Sequence, residues 1–322
     1  MKRILGLILL TIAGFNVFAQ QEAQYTQHPY AILPINPGYA GSNDAICAST
    51  ILRQQWAGFK DQNGTSTSPQ DILFMMDAPI SLLRGGVGIS ILKDKLGYED
   101  NINVKLGYSF RLPIGRDGGV IGIGAQVGFL NKTIDFTKFV PNEDSDPLLV
   151  GKGKVSDMFT DMSFGLFYKV PNLYYAGISS TQLLESSSNI GVKLKRHYFI
   201  TGGYEWIYPE NPNLVFEPSL LIKTDFASAQ YDVSAIAKWN NRFWGGLNYR
   251  VQDAVSIVLG ANPFTTGSMK GLKIGYSYDI STSKIGREGR SFGSHEIMVK
   301  YCFKITKTPV VFGYKNTLLL GN

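Results

Sequence analysis

The side chains that most often carry out chemistry are few in this chain and poorly placed for it. Only three histidines are present, His28, His197 and His295. A nucleophilic serine needs a base within hydrogen-bond reach, and no spacing ties any of the three to one. Gly122-Ile123-Gly124 followed by Gly128 superficially resembles a dinucleotide loop, but the third glycine comes one place late and the run alternates as a strand. The acidic run Asn142-Glu143-Asp144-Ser145-Asp146 offers oxygens to Ca²⁺ without the ordered ligand spacing of a calcium loop, so it reads as a solvated loop. Lys284 to Arg290, with Gly286 and Gly289, lacks the strand-loop-helix setting of a phosphate cradle. Asn63-Gly64-Thr65 and Asn131-Lys132-Thr133 have only the form of glycosylation triplets. These residues imply no catalytic, cofactor or metal site.

Composition points elsewhere. Of 322 residues 44% are hydrophobic and only 17% charged, with Gly 35, Phe 19, Tyr 17 and Trp 4. Soluble domains carry about 25% charged residues, so the chain is charge-poor yet too apolar for disorder. Lys2 and Arg3, the apolar run from Ile4 to Val17 and the small residue Ala19 form a secretory signal peptide over residues 1–19, cleaved after Ala19. A membrane anchor needs about 20 apolar residues, and Gln20, Gln21 and Glu22 follow too soon. Losing Lys2 and Arg3 lowers the formal charge from +6 to +4. An exported chain so mildly basic is not expected to bind nucleic acid.

The elements that must position everything else are strands. Ile102, Val104, Leu106, Tyr108, Phe110 and Leu112 alternate with Asn101, Asn103, Lys105, Gly107, Ser109 and Arg111, one apolar face against one polar face. The same alternation recurs in about 14 segments, beginning near residues 46, 70, 85, 101, 119, 159, 172, 196, 213, 230, 242, 253, 271 and 294. Turn residues separate them, as at Pro113 to Gly118, Pro209 to Pro212 and Asn240-Asn241. Many segments reach the roughly 9–11 residues that a tilted strand needs to cross a bilayer, beyond the roughly 5–6 of ordinary strands. Aromatics such as Trp56, Tyr98, Tyr168, Tyr208 and Trp239 sit near segment ends, as in interfacial girdles.

The expected fold is therefore all-β: a closed transmembrane antiparallel β-barrel of about 14 strands over residues 45–304, in contact with outer-membrane lipid. An open edge in hydrocarbon would leave its backbone groups unsatisfied at several kcal/mol each. An even strand count places both termini on one side, taken as periplasmic, with residues 305–322 as a periplasmic extension. Long and short connections alternate around the sequence, with exceptions near Gln252-Asp253 and from Asn262 to Lys270. Ile297, Val299, Tyr301 and Phe303 form either an aromatic-ended assembly signal or an ordinary apolar edge strand. Cys47, in the first strand, and Cys302, in the last, would meet where the barrel closes. An exported protein permits a disulfide there; two buried free thiols are the alternative.

Residues 20–44 carry Pro29, Pro34 and Pro37, which deny them a regular helix or central strand. Tyr30, Ile32, Leu33, Ile35 and Tyr39 give this extended segment apolar anchors, so it is expected to be ordered, as a plug in the lumen or on the periplasmic rim. A 14-stranded wall is about 28 Å across. Inward candidates Asn103, Lys105, Arg111, Asp232, Lys238, Arg250, Lys273, Asp279 and Lys300 have mixed signs. They suit a salt-bridge mesh or a weakly anion-preferring pore.

Three stretches carry a family resemblance. They are Gln27-His28-Pro29-Tyr30, Pro34-Ile35-Asn36-Pro37-Gly38-Tyr39-Ala40-Gly41, and Arg53-Gln54-Gln55-Trp56-Ala57-Gly58-Phe59-Lys60. With Asp77-Ala78-Pro79, Gly86-Val87-Gly88 and Lys93-Asp94-Lys95-Leu96-Gly97, they resemble the PorP/SprF family of type IX secretion system membrane proteins. The motif residues singled out are Asn36, Pro37, Tyr39, Ala40, Gly41, Arg53, Gln55 and Trp56. The resemblance implies a non-enzymatic barrel in the cell outer membrane, in bacteria that export adhesins and enzymes and often glide. It also implies service to a secreted surface protein, alongside periplasmic peptidoglycan-associated secretion components. A general diffusion or uptake porin is the competing expectation.

Overall fold

The computed structural model describes residues 22–61, 64–115, 117–139, 153–187, 192–283 and 291–304. The signal peptide, residues 20–21, Asn63, the acidic run at 142–146, the segment Lys284 to Arg290 and the extension 305–322 lie outside them.

Fourteen antiparallel strands follow one another round a closed sheet. They are β1 (Ala45–Gln54), β2 (Gln70–Ile80), β3 (Gly85–Leu96), β4 (Glu99–Ile114), β5 (Gly119–Asp135), β6 (Lys154–Val170) and β7 (Tyr174–Thr181), then β8 (His197–Tyr204, continued by Trp206–Ile207), β9 (Leu214–Thr224), β10 (Ala229–Trp239), β11 (Phe243–Arg250), β12 (Ala254–Ala261), β13 (Lys273–Ser281) and β14 (Ser294–Lys304). Each pairs with its neighbours in sequence, and β14 pairs with β1 from Ala45↔Lys304 to Gln54↔His295. No edge is left in the sheet, which is what hydrocarbon requires of backbone groups.

Side-chain parity assigns the two faces. In β2, Asp71, Leu73, Met75 and Asp77 are buried, whereas Ile72, Phe74 and Met76 are exposed. Leu106, Leu247 and Leu259 are 52%, 58% and 56% exposed. Left in water, each such side chain would forgo about 1.5–3 kcal/mol of transfer free energy; lipid covers them instead. The inward face carries the polar residues of the same strands.

One boundary differs from the sequence expectation. Alternation puts the sixth segment near residue 159, but β6 starts at Lys154 and β5 runs on to Asp135. Along this extension the outward positions are Asn131, Thr133 and Ser156, joined by hydrogen bonds of 3.0 Å (Thr133–Ser156) and 2.6 Å (Ser156–Asn131). The ladder continues where the outward face is polar and Ile134 is buried on the inward one, so the apolar-outward alternation stops before the strand does. The two irregular connections are real: 251–253 is a tight turn, and 262–272 is long. Asn240 and Asn241 both have positive φ, 52° and 50°, within the three-residue connection 240–242 that closes this hairpin.

Candidate functional site

The barrel interior is occupied by the chain's own N-terminal segment. Prolines shape it locally: Pro29 and Pro37 each open a single 3-10 turn, at His28–Tyr30 and Pro37–Tyr39. Asn36 caps the second turn, its Oδ1 accepting from the Gly38 amide at 2.9 Å, while its Nδ2 donates to the Leu166 carbonyl of the wall at 2.9 Å. Ser109 Oγ donates to Gly38 O at 3.0 Å, and Lys105 Nζ and Gln126 Nε2 both reach Pro34 O, at 3.0 and 3.1 Å. The Gly41 amide donates to Asp77 Oδ2 at 2.9 Å. Ile32, Leu33, Tyr39 and Ala40 are buried against inward Ile51, Leu73, Met75, Phe167, Ile236, Trp244 and Met298.

The wall makes room by omitting side chains. A Cβ on Gly122 would lie 2.1 Å from Gly38 O, and one on Gly38 would lie 2.7 Å from Gly122 O. A Cβ on Gly124 would meet the Gly38 amide at 2.3 Å. The run that superficially resembled a nucleotide loop is thus barrel wall, and its glycines admit the backbone of another segment.

One ion cluster ties this segment to the wall, and a second stands beside it within the wall. Arg53 Nη2 lies 2.7 Å from Asp279 Oδ2, and Arg53 Nη1 lies 3.0 Å from Glu296 Oε2. Glu296 also accepts the amides of Thr26 and Gln27, at 2.9 and 2.8 Å, and Asp279 accepts the Thr26 hydroxyl at 2.7 Å. Charges this deeply buried stay favourable only while every partner is present. Alongside, Arg250 Nε pairs with Asp232 at 2.8 Å, and its Nη1 with Asp253 at 3.2 Å.

Titration in the segment follows its burial. Burial draws His28 down to about 3, with Arg250 adding to the shift; among the described residues neither ring nitrogen has a hydrogen-bond partner. Burial alone would raise Glu22, but Lys105, His197, Lys223 and the Thr181 hydroxyl together hold it below the usual carboxylate range. Burial also raises Tyr25 and Tyr30 well above an ordinary phenol.

The sequence-derived residues fall in three places. Asn36, Pro37, Tyr39, Ala40 and Gly41 line the interior; Arg53 centres the first ion cluster; Gln55 and Trp56 stand in the β1–β2 connection, Gln55 N bonded to Pro69 O at 2.9 Å and Trp56 N to Ser294 Oγ at 3.0 Å. Of the inward candidates, Arg111 pairs with Asp44 at 2.6 Å and Lys238 pairs with Glu217. Cys47 and Cys302 are directly opposed across β1–β14 and their sulfurs are bonded, 2.08 Å apart. His197 Nδ1 contacts Gln182 and Lys195 O, and His295 Nδ1 contacts the Tyr276 hydroxyl at 2.8 Å, so the three histidines do not meet. Sequence reasoning missed Glu296, Phe167 and Trp244. Inward parity on strands whose other face is apolar was the available signal for Glu296, whereas aromatics read as wall.

Residues 17–301 match the family described as type IX secretion system membrane protein PorP/SprF. No curated protein matches the sequence. Among solved structures, the Ralstonia pickettii toluene transporter TbuX is similar, at 11% identity and TM-score 0.50, over 85% of this chain and 93% of that one. The Acinetobacter baumannii outer membrane protein Omp33 shares 6% identity at TM-score 0.46, over 80% and 98%. At such identities the likeness is one of fold.

Proposed function

We propose, from the premise that this chain belongs to the PorP/SprF family of type IX secretion system membrane proteins, that it is a filled, non-enzymatic outer-membrane barrel. In this reading it assists the secretion or surface anchoring of an adhesin- or motility-type partner. It does so by presenting its ends to that partner and to periplasmic peptidoglycan-associated components, and not by passing solutes. The family supports the secretion assignment, and the closed transmembrane barrel supports an outer-membrane location.

The observation that carries the reading against a diffusion porin is the occupied lumen, where Thr26, Gln27, Asn36 and Ala40 are almost wholly buried among wall side chains. Orientation follows the usual arrangement, short turns facing the periplasm. The end at which β1 begins and β14 finishes carries the tight connections at 81–84, 171–173 and 240–242. Residues 1–19 act as the export signal, and residues 20–44 as a plug.

Deletion of the gene tests it. Loss of one surface protein from cells and medium, with unchanged permeability to small solutes, is the expected result. Intact secretion together with high conductance of the purified barrel in planar bilayers would instead make it a porin. Mild detergent extraction followed by co-purification identifies the partner.

A further inference from the structure

At the end where β1 finishes, the inward face carries two successive rungs of opposite character. In the outer rung Glu296, Arg53, Asp71, Asp94, Asn101 and Lys132 stand opposite one another in turn, from β14 round to β5. Two residues deeper the same strands contribute Met298, Ile51, Leu73, Leu92, Asn103 and Leu130. Lipid lies against the other face of these strands, so the apolar side chains of the deeper rung need a cover inside the barrel. The N-terminal segment covers some of them: Met298, Ile51 and Leu73 are 0%, 0% and 1% exposed. Leu92 and Leu130 stay half-buried. With Ile35 of the segment they line a cavity of about 140 Å³, and exposed Lys195 stands at its rim. An apolar cavity of about 150 Å³ accommodates one six-membered ring.

Charges in this lining are largely answered by the protein itself. Lys105 faces Glu22 at 3.9 Å, Lys132 pairs with Glu99 at 2.6 Å, and Asp232 pairs with Arg250 at 2.8 Å. Asp94 accepts from Asn101 Nδ2 at 3.4 Å, and Lys223 donates to Glu22 O at 3.1 Å. What is left over is uncharged. The Tyr25 hydroxyl, both ring nitrogens of His28 and Asn101 Oδ1 belong to side chains only 8%, 3% and 8% exposed that line the cavity, and among the described residues none of these atoms has a hydrogen-bond partner. At neutral pH His28 is an uncharged imidazole, with one donor and one acceptor nitrogen. A buried polar group without a partner costs about 1–3 kcal/mol, and a ligand that supplies the partner recovers it. An ionised ligand would give up its hydration and find no free counter-ion in return.

We propose that this cavity binds a small uncharged alcohol. Its apolar body, about the size of one six-membered ring, packs against Leu92, Leu130 and Ile35, and its hydroxyl sits among the unpartnered atoms of Tyr25, His28 and Asn101. An apolar hollow with a few placed polar groups, in the mouth of a barrel, is the common form of a small-molecule site. The site is independent of the secretion role, since its occupancy is read on the purified barrel alone.

The test titrates the full barrel in neutral detergent with four probes of one shape: cyclohexylmethanol, methylcyclohexane, cyclohexanecarboxylate and cyclohexylmethylammonium. Ligand-observed NMR with competition separates saturable binding from partition into the micelle. The alcohol is expected to saturate, and to bind about two- to tenfold more tightly than methylcyclohexane, the scale of one hydrogen bond of 0.5–1.5 kcal/mol. Both ions should bind more weakly than the alcohol. Asn101→Leu should lower the affinity for the alcohol and leave methylcyclohexane unchanged, and Leu130→Trp, which fills the cavity, should abolish saturable binding of both. Absence of a saturable component in the unaltered protein, or an ion binding as tightly as the alcohol, would overturn the proposal without recourse to any variant. Saturable binding that survives in a Leu130→Trp protein still running as a folded barrel on semi-native electrophoresis would overturn it too.

Discussion

Gly122 and Gly38 lie 84 positions apart in the sequence, yet neither can carry a side chain without striking the other's carbonyl oxygen, at 2.1 and 2.7 Å. The wall and the N-terminal segment are moulded to each other at the level of the backbone. The filled lumen therefore rests on shape as well as on charge.

Gly122→Ala is expected to unseat the segment, because overpacking against backbone costs about 1–3 kcal/mol or more where neither partner can yield. In planar bilayers the variant should show larger and noisier conductance than the unaltered barrel. Gly202→Ala is the control, since a Cβ there meets nothing closer than Tyr175 O at 3.6 Å. Equal, low conductance in both variants would show that the segment tolerates the added methyl.

Arg53→Met should be more damaging than its distance from solvent suggests. It leaves Asp279 and Glu296 buried without their cation, a loss of about 3–5 kcal/mol for a broken buried pair. Limited proteolysis of the folded barrel should cut near Thr26 and Gln27 in the variant and not in the unaltered protein, because the amides that Glu296 holds are those of these two residues.

Acid should loosen the segment through His28. Free of the barrel, its imidazole titrates near 6.5; docked, it does so at about 3. Between those values the undocked state binds the extra proton, so the contribution of His28 to docking is complete above about pH 6.5 and is lost progressively as pH falls toward 3. Conductance measured from pH 7 to pH 4 should rise, and His28→Leu should flatten part of that rise. An unchanged profile in His28→Leu would assign the response to the carboxylates.

The Cys47–Cys302 bond spans 255 residues of chain and joins the first strand to the last. On the chain-entropy account, a loop this long stabilises the folded state by about 5 kcal/mol. Cys47→Ser is expected to lower the temperature at which the compact barrel converts to the unfolded form on semi-native electrophoresis. Reductant should do the same to the unaltered protein and nothing to the variant.

Alternation of residue types, period two with apolar partners at segment after segment, was enough to establish strands, their approximate number and the face that meets lipid. A bilayer imposes that pattern residue by residue, and it needs no knowledge of what pairs with what. It blurred where the outward face turns polar, at Asn131, Thr133 and Ser156. The lumen was legible as mixed charge, and its partners were not. Arg53 sits in a motif visible in the sequence, but Asp279 and Glu296, its counter-ions, lie 226 and 243 residues away. Glycines of the wall alternate in the sequence as ordinary strand positions, and only the fold sets Gly38 and Asn36 against them. Closure of the sheet decided these pairings, because only a ring brings the inward faces of strands from both ends of the chain around one segment, and contact across a ring leaves no periodic mark in the sequence.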